Sequence, residues 1–190
     1  MTTLAAVRRA LASHRARAEL APEARPAAVA LILTEGAEGV ATLLIRRAER
    51  SGDPWSGQIA LPGGRFEPQD PDLLATAIRE TREETGVDLT TAERLGVLDD
   101  LYPRTPLLPP VVVRPFVFSI AQAPPLTLSD EVHTAFWVPL ARLRDTGAHG
   151  TISLELRGAV RTFPAYVLGE HTVWGMTERI LTPFLDLVLG

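Results

Sequence analysis

The hydrophobic positions of this chain change their period several times, and each change predicts an element. Leu4, Val7 and Leu11 recur at helical spacing among Arg8, Arg9, Arg15 and Arg17, so a packing helix is expected in an N-terminal extension, residues 1–25. Ala27 to Leu33 and Val40 to Arg46 read as paired strands connected through Glu35-Gly36 and Gly39. Gln58 to Leu61 reads as a short strand running into Gly63-Gly64. Further strands are expected over Arg94 to Leu101, Val111 to Ile120 and Ala135 to Val138. Pro103 to Pro110 and Ala123 to Pro125 fall in loops, since proline breaks ladders and helices alike. Ile152 to Leu156 and Val160 to Phe163 form a hairpin turning at Arg157-Gly158, and Met176 to Leu189 is an amphipathic helix.

Between Pro71 and Gly86 the pattern is helical again, and here the polar face is the informative one. Asp70 is expected to cap this helix, Pro71 to sit in its first turn and Gly86 to end it. Leu74, Ile78, Thr81 and Thr85 would pack inward. Glu80, Glu83 and Glu84 then share one face at i, i+3 and i+4, within about 100° of arc. Like charges at i, i+4 cost an isolated helix roughly 0.2–0.5 kcal/mol per pair, so this cluster needs a reason. One reason is a solvated face balanced by Arg79 and Arg82; the other is a divalent-metal site beside the glycine pair.

The spacing favours the metal site. Counted from Gly64, the residues Arg79, Glu80, Glu83, Glu84, Gly86 and Val87 resemble the Nudix box, in which Arg-Glu-x-x-Glu-Glu-x-Gly is the specific core. Asp70 stands where that box has its first glutamate, eight residues rather than seven separate it from Arg79, and Thr81 replaces an aliphatic residue. The resemblance implies an α/β fold for residues 26–190: a Nudix-type α/β/α sandwich with a central mixed sheet and a glycine loop–helix metal site. It further implies hydrolysis of a diphosphate in a nucleoside diphosphate derivative. Mg²⁺ or Mn²⁺ would be held by Glu80, Glu83 and Glu84, with Glu80 the first choice of general base and Arg79 orienting a glutamate. A carboxylate site holds a diphosphate only through bridging cations, and Mg²⁺ keeps positions open for phosphate oxygens and water. On this reading Glu83→Gln or Glu84→Gln should collapse turnover and spare the fold, both residues lying on the exposed helix face.

A second resemblance narrows the substrate. Leu43-Leu44-Ile45-Arg46-Arg47, followed by Gly57-Gln58-Ile59-Ala60-Leu61-Pro62-Gly63-Gly64, is similar to the coenzyme A pyrophosphatase branch of the same family, with Arg47 at its signature arginine. That branch also tolerates the Asp and the eight-residue spacing. Ile45 for Thr, Leu61 for Phe and Asp53 at the place of a second arginine depart from it. The implied reaction cleaves coenzyme A or its thioesters to adenosine 3′,5′-bisphosphate and a phosphopantetheine product. The alternatives are ADP-ribose, dinucleotides or nucleotides, and a Nudix-like binding or regulatory module without activity. Arg46, Arg47 and Arg50 are candidates for the adenosine 3′-phosphate, and Gly63 and Gly64 for the diphosphate. Asp99, Asp100, Tyr102 and Arg104 are candidates for the cleft wall, turn chemistry being the competing role of the aspartates. Trp55 or Tyr102 would stack on adenine, whereas Trp137 and Trp174 read as core or interface residues. Glu131 resembles a downstream metal ligand or base, against a plain solvated acid before a strand.

Composition removes rival chemistries. The absence of cysteine excludes thiol catalysis and cysteine-ligated zinc, and all 19 basic residues are arginine, which excludes a Walker lysine and Schiff bases. His14, His133, His149 and His171 make no helix-spaced metal pair and read as surface or structural. A net charge of −4 argues against a general nucleic-acid grip. No apolar run approaches the roughly 18 residues of a membrane span. The arginine-rich N-terminus reads as a packing helix rather than a transit peptide, so the expected setting is cytoplasmic. A homodimer is an expectation of the family.

Overall fold

The computed structural model describes residues 2–105, 108–156 and 158–189. Chain order begins with α1 (Leu4–Ser13), followed by an arm without regular secondary structure that ends in a turn at residues 22–24. The expected helical extension is thus helical over ten residues only. Then come β1 (Arg25–Gly36) and β2 (Gly39–Arg47), the short β3 (Ile59–Ala60) and β4 (Gly63–Arg65), and α2 (Leu73–Thr85). β5 (Glu93–Val97), β6 (Val111–Ser119), β7 (Val132–Pro139) and α3 (Leu140–Arg144) precede a second sheet of β8 (His149–Leu156), β9 (Ala159–Leu168) and β10 (His171–Trp174). The last described element is α4 (Met176–Leu189).

β1 organises the molecule because it is apolar on both faces, the mark of a strand covered on both sides. Ala28, Ala30 and Ile32 face α2, packing with Leu43, Ala77, Phe116 and Phe118. Ala27, Leu31 and Leu33 face α1 and α4, packing with Val7, Leu11, Leu181 and Phe184. The main sheet runs β3-β2-β1-β6-β5, with β4 also on β1 and β7 on β2. β1 and β6 are parallel from Arg25↔Val111 to Leu33↔Ser119, and β1 is antiparallel to β2 and β4, so the sheet is mixed, between helical layers. The smaller sheet, β10-β9-β8, is antiparallel.

Several expectations need correction. Asp72, not Asp70, caps α2, its side chain accepting from the Ala75 amide at 2.8 Å, and Pro71 lies outside the helix. Asp70 is turned inward, where Arg79 claims it. Gly86 does end α2, at φ 74°. Leu74, Ile78, Thr81 and Thr85 do pack inward, Leu74 and Ile78 partly buried against the core, and the buried face of α2 also takes in Thr76, Ala77 and Glu84. Glu84 is therefore not on the exposed face with Glu83. The strand expected over Arg94 to Leu101 stops at Val97, and Leu101 makes an isolated bridge to Val113. β4, α3 and β10 were not legible, being three, five and four residues long. The β8–β9 hairpin runs longer than expected; Arg157 of its turn lies outside the described residues, as do Pro106 and Leu107 of the proline-rich loop. α1 is no appendage, since Val7 and Leu11 are buried in the core.

Candidate active site

The site forms where β4 and the glycine pair slide beneath α2. Gly63 has φ 150°, and a Cβ there would overlap the Ala28 carbonyl and Val29. A Cβ at Gly64 would overlap the Glu80 carboxylate. One glycine therefore lets the strand lie against β1, and the other lets a catalytic candidate lie against the strand. The Gly63 amide donates to Glu84 Oε2 at 2.9 Å, fixing the only α2 glutamate that is nearly fully buried, at 2% side-chain exposure.

Arg79 is the hub of the helix. Its Nε and Nη2 donate to the two Asp70 oxygens at 2.9 Å each, and its Nη1 to Glu80 at 3.0 Å and Glu83 at 3.1 Å. Asp70 is itself buried and accepts from Thr76 Oγ1 and the Glu67 amide. The Arg79 guanidinium, followed by those donors, holds the Asp70 carboxyl far below the usual range despite its burial. Asp70 thus anchors the arginine that orients two glutamates.

A cavity of about 600 Å³ opens beside this assembly. Glu80, Glu84 and Glu131 line its acidic side with Gly63 and Gly64; Arg47, Arg50 and Arg65 bring positive charge; Trp55, Val29, Val113 and Ile180 supply apolar wall. Burial pushes the Glu84 carboxyl up to about 8, opposed by the Gly63 amide and Arg47 and reinforced by Glu80 and Glu131. Burial likewise raises Glu80, against the pull of Arg79.

An all-carboxylate donor set of this kind suits a hard divalent cation, and a buried carboxyl crowded by two others calls for positive charge. Arginines supply it in this arrangement: Arg79 holds Glu80 and Glu83, Arg50 holds Glu131 at 2.9 Å, and Arg47 lies 3.7 Å from Glu84. Among the described residues no three acidic or histidine side chains are grouped closely enough in this arrangement to hold a metal ion. The residues fit the cation by chemistry, and closing on it requires these carboxylates to turn from their arginine partners.

The remaining candidates separate cleanly. Arg46 pairs with Glu49 and does not line the cavity, whereas Arg47 does. Tyr102 and Arg104 line a smaller neighbouring concavity, where they bind Glu23 and Glu19 of the N-terminal arm. Asp99 and Asp100 receive the amides of Arg17 and Glu19, and Asp100 also pairs with Arg114, so they hold the arm rather than line the cleft. Trp55 is in the cavity, Trp137 packs on the α2-side core, and Trp174 sits against Phe163. His171 stacks on Phe136 and His149 bonds the Leu143 carbonyl, both structural roles. Arg65 and the α4 residues Met176, Thr177 and Ile180 were missed, because only the tertiary fold carries α4 to the cavity.

This glycine-strand, helix and carboxylate assembly is that of a Nudix hydrolase. The NUDIX domain pattern matches residues 24–156, and the chain belongs to that family. Among curated relatives it is 34% identical over 188 residues to the mitochondrial coenzyme A diphosphatase NUDT8 of Homo sapiens, covering 95% of this chain and 76% of that one. The mouse protein of the same name is 32% identical over 188 residues, covering 95% and 85%. Among solved structures, a MutT/nudix family protein from Enterococcus faecalis superposes with a TM-score of 0.60 at 23% identity, covering 90% of this chain and 64% of that one. The chain is accordingly a Nudix pyrophosphatase, in a family of generally divalent-metal-dependent hydrolases.

Proposed function

We propose that this enzyme hydrolyses the diphosphate of coenzyme A or its thioesters, releasing adenosine 3′,5′-bisphosphate and a 4′-phosphopantetheine product. The observation that carries the reading is the match along 95% of the chain to a coenzyme A diphosphatase, with Arg47 of the upstream motif lining the carboxylate cavity. Glu80, Glu83 and Glu84, with Glu131, are the residues that would hold Mg²⁺ or Mn²⁺. Such an ion, when bound, would neutralise the diphosphate and acidify a water. Arg79, held by Asp70, orients Glu80 and Glu83. Glu80, raised by burial and facing the cavity, accepts the proton of the attacking water. Arg47 and Arg50 contact phosphate, and Trp55 offers a face for the base. Gly63 and Gly64 admit the diphosphate, Gly63 by keeping the strand close to β1 and Gly64 by leaving room for Glu80.

We further propose a cytoplasmic setting and a homodimer. No helix of the described residues is long and apolar enough to cross a membrane.

The deciding assay supplies Mg²⁺ or Mn²⁺ and compares kcat/KM for coenzyme A, acetyl-coenzyme A, ADP-ribose, NADH and diadenosine polyphosphates. Coenzyme A or its thioester is expected to lead, with activity lost in chelator and restored by either ion. Preference for ADP-ribose would overturn the leading substrate and keep the chemistry, and silence in every lane would favour a binding module.

A further inference from the structure

Asp53 is an acid placed in a cavity built for a polyanion. It lies in the loop between β2 and β3, with a side chain only 19% exposed. Its two oxygens do different jobs. Oδ1 accepts the Trp55 amide at 3.0 Å, which shapes the loop, and Oδ2 accepts from Arg47 Nη2 at 3.1 Å.

Arg47 stands between two carboxylates at unequal distances. Its Nη2 is hydrogen-bonded to Asp53, whereas its Nη1 is 3.7 Å from Glu84 Oε1, an ion-pair separation without a hydrogen bond. A guanidinium carries five N–H protons. Among the described residues only the one on Asp53 finds a hydrogen-bond acceptor, and Nε is buried with none. Glu84 is also left half-used. Oε2 takes the Gly63 amide, and Oε1 receives no hydrogen bond from the described residues. Both groups therefore keep bonding capacity in reserve, side by side at the cavity wall.

We propose that Asp53 is a positioning residue that draws Arg47 away from Glu84. The tug keeps Glu84 Oε1 available to a cation and the Arg47 N–H groups available to a phosphate oxygen of a nucleoside diphosphate derivative. Without the Asp53 charge, Arg47 falls onto Glu84, which is nearer than any other anion, and the two occupy each other. The inference rests on the diphosphohydrolase reading and not on coenzyme A as the substrate.

The test is a double-mutant cycle of Asp53→Asn and Arg47→Ala in the full chain, with Asp53→Glu as the charge-retaining control. Kinetics are run on whichever diphosphate of the panel the wild type cleaves fastest. Binding of Mn²⁺ alone is read in parallel from the electron paramagnetic resonance of the free ion. Asp53→Asn is expected to raise KM about tenfold, the loss expected when one charge-assisted hydrogen bond to the substrate is gone. It should weaken Mn²⁺ binding by a similar factor, change kcat less and leave Tm near that of the wild type. Asp53→Glu should recover KM and Mn²⁺ binding. In an Arg47→Ala background Asp53→Asn should do nothing more. Unchanged KM and Mn²⁺ binding, additive effects of the two substitutions, or a KM rise tracked by a fall in Tm would each overturn the proposal. A wild type that prefers another diphosphate over coenzyme A changes the substrate of the cycle and leaves its logic intact.

Discussion

Asp70 and Glu84 show how one kind of side chain takes opposite roles from its surroundings. Both are buried acids on or beside α2, yet Asp70 faces a bidentate arginine and Glu84 faces a single amide, a distant guanidinium and two like charges. Asp70 is pulled down and stays ionised. Its folded pKa lies below its unfolded value near 3.9, so its stabilisation is present above that pH and is lost as pH falls through the folded value. Asp70→Asn should cost roughly 2–4 kcal/mol at pH 7 by leaving Arg79 short of a partner, and the gap from wild type should close only in strong acid. Urea unfolding at stepped pH measures it; a gap constant down to pH 2 would remove the linkage. Glu84→Gln keeps the side chain's shape and an acceptor for the Gly63 amide, so it should spare the fold while cutting kcat by about 10² or more. Glu83→Gln should cost less, since Glu83 is 58% exposed and does not line the cavity. Steady-state kinetics at saturating Mn²⁺ rank the two, and equal losses would restore Glu83 to parity.

At the scale of elements, the junction between β4 and α2 divides its labour between two adjacent glycines. Gly63→Ala puts a methyl group into the backbone of β1, which cannot move aside, and should lower stability by about 2–4 kcal/mol. Gly64→Ala meets the Glu80 side chain first, and that side chain can swing away. It should keep most of its Tm and lose activity about 10²-fold, because Glu80 leaves the cavity. Thermal melts beside turnover numbers separate these outcomes, and matching losses in both variants would show that the pair acts as one structural unit. The box helix is legible in type and in where it ends because its glycine end, its periodicity and its glutamates agree. Its start was misread because Asp70 and Asp72 are both capping residues two positions apart. Burial of Asp70 against Arg79, a contact nine residues away, decides between them.

For the molecule as a whole, the N-terminal segment is a working part of the domain. α1 seals the sheet face opposite α2, and the arm behind it delivers Glu19 and Glu23 to Arg104 and Tyr102. Leu11→Ala should therefore cost about 2–4 kcal/mol, as a core truncation does, whereas an exposed extension would cost next to nothing. Chemical denaturation followed by tryptophan fluorescence tests this, and a change under 0.5 kcal/mol would place α1 outside the cooperative unit.

The sequence by itself determined the box helix, the glycine pair and the carboxylates, each written in local periodicity or in a fixed spacing along a single strand–loop–helix segment. The sandwich was implied by the family resemblance those residues carry. Tertiary structure alone decided which carboxylate is buried, why Asp70 is turned inward, and that Arg47 rather than Arg46 faces the cavity. It also separated Tyr102 and Arg104 from the cleft and carried Arg65 and α4 to it. These depend on contacts between residues far apart in the chain, and burial and charge coupling arise only when such residues share one low-dielectric space.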